Sequence, residues 1–155
     1  MVALAIAWAF AATVLAHARE LGFPLDDSYI YLTYAKQFGR GHAFTYFTGG
    51  GYSAGSTSAL WPMLLAPFWA LGARGHALVW VAYVVSSALF AATGLGVYAA
   101  VRRVAGSPLV GAATAIAALS VGAFAFGALS GMEVALASAL LAWLVVLLVG
   151  QPADR

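Results

Sequence analysis

The chain has 155 residues, of which 64% are hydrophobic and 8% charged, with a net charge of +2. A mean hydropathy of +0.94 lies far above that of a water-soluble domain, in which about a quarter of residues are charged. Lipid is therefore the solvent expected for most of the chain; the sparse, scattered charge gives nucleic acid no footing, and the absence of cysteine excludes disulfide and thiolate chemistry.

Crossing a hydrocarbon core of roughly 30 Å takes about 20 apolar residues as helix, so the length allows about four or five spans. Residues 2–18 form the first apolar run, interrupted by Thr13 and His17. Ala16-His17-Ala18 has the small-x-small form of a signal cleavage site, but no basic residue precedes the run, which favours a retained span. A polar and aromatic stretch follows. Within it, Ile30, Tyr31, Tyr34, Ala35 and Phe38 share one helical face, with Thr33, Lys36, Gln37 and Arg40 towards the other. Pro24 before this segment and Gly39 and Gly41 at its end bound a helix near 26–39, amphipathic and suited to the bilayer interface. Gly49-Gly50-Gly51 through Gly55 reads as a loop. The apolar stretch near 59–72 is short and holds Pro62 and Pro67, so a second interfacial helix is expected there. Full spans are expected near 77–101, 108–129 and 132–149.

The fold expected is thus an all-α integral membrane protein. It comprises a single membrane domain over 1–155, with about four transmembrane helices. Residues 19–76 form a loop between the first two spans and carry both interfacial helices. The polar end, Gln151 to Arg155, reads as a chain cut inside a loop, which suggests the N-terminal part of a larger protein. The preponderance of Arg over Lys, with abundant Ala and Gly, fits a GC-rich bacterial genome.

Acidic residues are scarce: five in the whole chain, of which two, Asp26 and Asp27, are adjacent. One aspartate suffices to cap a helix and complement its dipole, leaving the other over for work as a general base or metal ligand. Glu133, in SGMEVAL at the start of the last span, is the other anomaly. A first-turn glutamate is electrostatically favoured, and an ionisable group at membrane depth also marks functional sites. Counting spans puts Asp26, Asp27 and Glu133 on one side of the membrane, opposite Arg102-Arg103. In the GSTS loop, Ser56, Thr57 and Ser58 offer hydroxyls to a phosphate or sugar, or a cap to the next helix. Lys36 and Arg40 are placed to meet a lipid phosphate, and His42 is a ligand, a shuttle or a turn residue.

DDSYIYLTYA followed by GRGHAF, then GSTSALWPMLLAPFWALG, two spans joined around Arg102-Arg103, and SGMEVAL resembles a known family. It resembles the N-terminal part of bacterial GT-C-type membrane glycosyltransferases: protein mannosyltransferase, aminoarabinose transferase and arabinofuranosyltransferase-like enzymes. The resemblance covers Asp26 to Val149. It implies a catalytic carboxylate at Asp26-Asp27, a second at Glu133, and substrate contacts from Tyr29, Lys36, Arg40, His42 and the 56–58 hydroxyls. It also implies a polyprenyl-phosphate sugar donor and a glycan, lipid or protein acceptor. Some members use a divalent cation, Mg or Mn, for which Asp27 and Glu133 are the candidate ligands. Transfer would occur on the extracytoplasmic face of the bacterial plasma membrane, placing the 19–76 loop outside. Arg19, Lys36, Arg40 and Arg74 in that loop argue the other way under the positive-inside rule. Family members have many more spans, so activity of these residues alone is not expected. The rival readings are a transporter-like subunit and a non-catalytic membrane scaffold.

Overall fold

The computed structural model describes residues 1–150, which form seven α-helices with no strand among them. These are α1 (Val2–Ala18), α2 (Asp26–Gly39), α3 (Leu60–Ala70), α4 (His76–Ala105), α5 (Pro108–Leu119), α6 (Gly122–Leu129) and α7 (Val134–Val149). The expectation about Gln151 to Arg155 lies outside the described residues.

α4 is the axis of the molecule. Its 30 residues extend about 45 Å, enough to cross a bilayer with ends to spare. Gly96 lies where a Cβ would come within 2.8 Å of Ala142, and the Trp143 indole N–H donates to the Ala92 carbonyl at 3.1 Å. Near the C-terminal end of α4, Arg103 donates to the Val146 carbonyl at 2.5 Å. From Gly96–Ala142 to Arg103–Val146 the contacts advance along both helices, so α4 and α7 run parallel. α5 returns antiparallel along α4, with Gly111 against Tyr98 and Leu119 against Gly94. Small residues at these crossings let the backbones approach closely. α1 also runs antiparallel to α4: the Tyr83 hydroxyl donates to the Ala7 carbonyl, and His76 at the head of α4 meets Glu20 just past the end of α1.

The C-terminal end of α1, the N-terminal end of α4 and the N-terminal end of α7 share one end of the bundle, and α2 and α3 pack against each other there. Arg102 lies about 39 Å away along α4. The opposition of the acidic side to Arg102-Arg103 is therefore present in the fold.

The span expectations need correction. α4 is the one described helix that is by itself long and apolar enough to cross a membrane. The stretch expected as one span over 108–129 is broken: α5 ends at Leu119 with Ser120 as its C-cap, Val121 is extended, and α6 leaves at 68°. α1, with 17 residues, and α7, with 16, are apolar but shorter. The last helix starts at Val134 rather than 132, because Gly131 takes a left-handed φ of 87°.

α2 occupies the bounds expected, and α3 spans 60–70 rather than 59–72. Gln37 was expected on the polar face of α2 but is buried, its Nε2 donating to the Tyr46 carbonyl at 3.3 Å. The 43–55 loop causes this by folding back over α2. Tyr34, fully buried, anchors the loop: its hydroxyl donates to Ser53 Oγ at 2.8 Å and accepts from the Gly55 N–H at 3.0 Å.

Candidate functional site

The Ser130–Glu133 turn is gripped from three directions. Ser28, in the first turn of α2, donates to the Ser130 carbonyl at 2.6 Å. Trp61, fully buried in α3, donates its indole N–H to the Gly131 carbonyl at 2.9 Å. Thr57, in the loop before α3, donates to Glu133 Oε1 at 3.1 Å. Gly131 itself lies flat against Phe23, whose ring atoms would be 2.6 Å from any Cβ placed there. That close approach, together with the left-handed backbone, is why the turn carries glycine.

Tyr31 completes the arrangement. Its hydroxyl lies 2.5 Å from Thr57 Oγ1. Thr57 has one proton and gives it to the carboxylate, so the proton between the two hydroxyls is tyrosine's. The result is a directed chain, Tyr31 to Thr57 to Glu133. The Tyr31 phenol is pushed up from 10.0 to about 12, first by burial and then by the adjacent Glu133 carboxylate; the Thr57 hydroxyl opposes this, and the charge on Asp27 adds to it. Asp27, four residues before Tyr31 in α2, thus acts on the same phenol as Glu133, a residue from the far side of the sequence.

Neither capping explanation is realised as a hydrogen bond. The N-cap of α2 is Leu25 and that of α7 is Glu133, and neither makes a side-chain cap bond. Asp26 and Asp27 are exposed. Glu133 is half-buried, and its Oε2 is shut off from solvent without a hydrogen-bond partner. One oxygen is fixed by Thr57 and the other is buried without a partner.

The fold brings together Tyr31, Thr57 and Glu133, and Asp27 lies one turn before Tyr31 on α2 with Asp26 beside it. It separates others. Lys36 and Arg40 lie about 13 Å and 20 Å further along α2 than Asp27, so they stand away from the carboxylates. His42 is exposed in the turn that ends α2; its carbonyl accepts from Thr45 at 3.0 Å, as a turn residue's would. Ser56 bonds to the Ser58 carbonyl at 2.5 Å, and Ser58 Oγ accepts from the Trp61 N–H at 3.4 Å, so the latter serves the start of α3. Tyr29 turns from the carboxylates to the other side of α2, where its hydroxyl accepts from the Phe23 N–H at 3.1 Å. There it lines a cavity of about 1050 Å³ between α1, α2 and the head of α4.

Tyr31 was not singled out from sequence, because an interfacial helix supplies tyrosines at headgroup depth for other reasons. The available signal was its position one turn after Asp27. Among the described residues, no group of three or more His, Cys, Asp or Glu is arranged to hold a metal. Compared with known proteins, the chain matches no family model, no curated protein and no solved structure.

Proposed function

We propose that the chain is the N-terminal module of a membrane glycosyltransferase that takes a sugar from a polyprenyl-phosphate donor on the extracytoplasmic face of a bacterial plasma membrane. The observation that carries this reading is the Tyr31–Thr57–Glu133 chain ending in a half-buried carboxylate with one oxygen unpartnered. A scaffold has no need of an acidic group held so specifically. A transporter would place its acids near span centres, and these stand at helix ends. In this reading α1, α4, the bent α5–α6 pair and α7 provide four crossings, and the bilayer thins to accept the short α1 and α7.

The chemistry is a direct displacement. Asp27 takes the acceptor hydroxyl's proton while that oxygen bonds to the anomeric carbon, and the bond from this carbon to the phosphate oxygen breaks with its electron pair. Glu133, held by Thr57, orients the acceptor. Asp26 is rotated about 100° from Asp27 on the helix and plays the lesser part. Lys36 and Arg40 are too far along α2 to neutralise the departing phosphate. A divalent cation held by Asp27 and Glu133 would do so, in the manner of Mg²⁺, which takes one or two carboxylates and completes its shell with phosphate and water.

The test is sugar transfer from radiolabelled polyprenyl-phosphate donors in membranes carrying the gene product as encoded, with Asp27→Asn and Glu133→Gln beside it. Loss in both variants by about 100-fold or more supports the reading. Undiminished transfer in both would overturn it.

A further inference from the structure

We infer a second site on α2, at the end away from the carboxylates, that holds the phosphate of an anionic bilayer phospholipid with its acyl chain in the cavity below. The inference needs the membrane setting and is independent of the glycosyl-transfer reading. Trp69 is its centre. The Arg74 guanidinium lies 3.7 Å from the Trp69 ring centre and that of Arg40 lies 5.3 Å from it. Lys36, one turn before Arg40, lines the same cavity as Trp69. All three cations are exposed, and none has a carboxylate within ion-pair distance among the described residues, whose one ion pair is Glu20–His76 at 3.5 Å. Arg40 spends one N–H on Thr48 Oγ1 at 3.3 Å.

Two guanidinium groups on one indole, with Lys36 on the cavity that the indole lines, repel each other unless an anion joins them. Stacking on the ring fixes the plane of a guanidinium and leaves its N–H edge free, the geometry that suits a phosphate. The cavity beneath decides what carries that phosphate. Phe10, Val14, Leu78, Val79 and Phe126 give it apolar walls, and it descends about 10 Å along α1 from His17 to Phe10. A free phosphate would leave those walls empty, whereas an acyl chain fills them. Glu20 at the rim is the one opposing charge, and His76 faces it. The sugar donor is a poorer occupant. Its anomeric carbon adjoins the phosphate, and a phosphate at Arg40 would leave that carbon far short of Asp27, about 20 Å away along the helix.

The experiment is native mass spectrometry of the purified chain after exposure to phosphatidylglycerol or phosphatidylcholine micelles. One phosphatidylglycerol retained per chain, with phosphatidylcholine lost, is the expected result. Replacing all three cations, as Lys36→Gln, Arg40→Gln and Arg74→Gln, should cut retention about 100-fold. Thr33→Trp, which intrudes on the cavity and leaves the charges intact, should also lower it, and Glu133→Gln should leave it unchanged. Equal retention of the two lipids, full retention in the triple variant, or displacement by inorganic phosphate would overturn the inference. Stoichiometric displacement by a polyprenyl phosphate would assign the site to the donor and overturn it as well.

Discussion

Thr57 donates its hydroxyl proton to Glu133 Oε1 at 3.1 Å, closing a gap of 76 residues in the sequence. This bond fixes the rotamer of a carboxylate that nothing else on α7 restrains. Thr57→Val removes it while preserving shape, and transfer should fall by about 100-fold, the usual cost of a misplaced reacting group. Thr57→Ser keeps the hydroxyl and should retain most activity. A drop in kcat with little change in KM, restored by serine, separates this positioning role from a loss of folding.

Tyr31 gives a pH signature. Folding holds its proton more tightly than the unfolded chain does, so the folded form is favoured below pH 10.0 and that preference is lost as the pH rises towards about 12. Thermal denaturation of the purified protein should show a stability decline over this interval that is weaker in Tyr31→Phe. Equal declines in both proteins would show that Tyr31 is not the group responsible.

Gly131 should tolerate no side chain. Gly131→Ala meets both a left-handed φ of 87° and the Phe23 ring, and should destabilise the fold by about 1–3 kcal/mol. Adding Phe23→Ala relieves the clash and leaves the backbone strain, so the double variant should not regain full stability beyond the cost of losing Phe23. Thermal unfolding of the four proteins checks this. A fully harmless Gly131→Ala would contradict the close packing of the turn.

Trp61→Phe removes the indole N–H from the Gly131 carbonyl inside the fold. It should cost about 1–3 kcal/mol, the penalty of a buried acceptor left without a donor. The same denaturation assay reads it, and a change near zero would mean that the turn is held without Trp61.

These expectations also mark what the sequence made legible. Pro24 and the glycines at 39 and 41 are local signals, and they bounded α2 correctly. The break after Ser120 carried no such signal: the residues on both sides are apolar, and Gly122 is one of several glycines in helices. Gln37 was misplaced because helical period tells which residues share a face, and not that a glycine-rich loop will fold over the polar one. Asp27 and Glu133 were visible as scarce charges that span counting assigns to one side. Glu133 is tied to α2 through Thr57 and Tyr31, residues whose importance is set by contacts between distant segments, and no local spacing announces those.

The most direct test uses the absence of cysteine from these 155 residues. Asp27→Cys and Glu133→Cys placed in one chain can be treated, in intact cells, with a short membrane-impermeant bis-maleimide. A cross-link formed from outside is expected, and neither single variant should give one. Labelling of either cysteine only after the membrane is opened, or labelling of both without a cross-link, would contradict a shared site on the outer face.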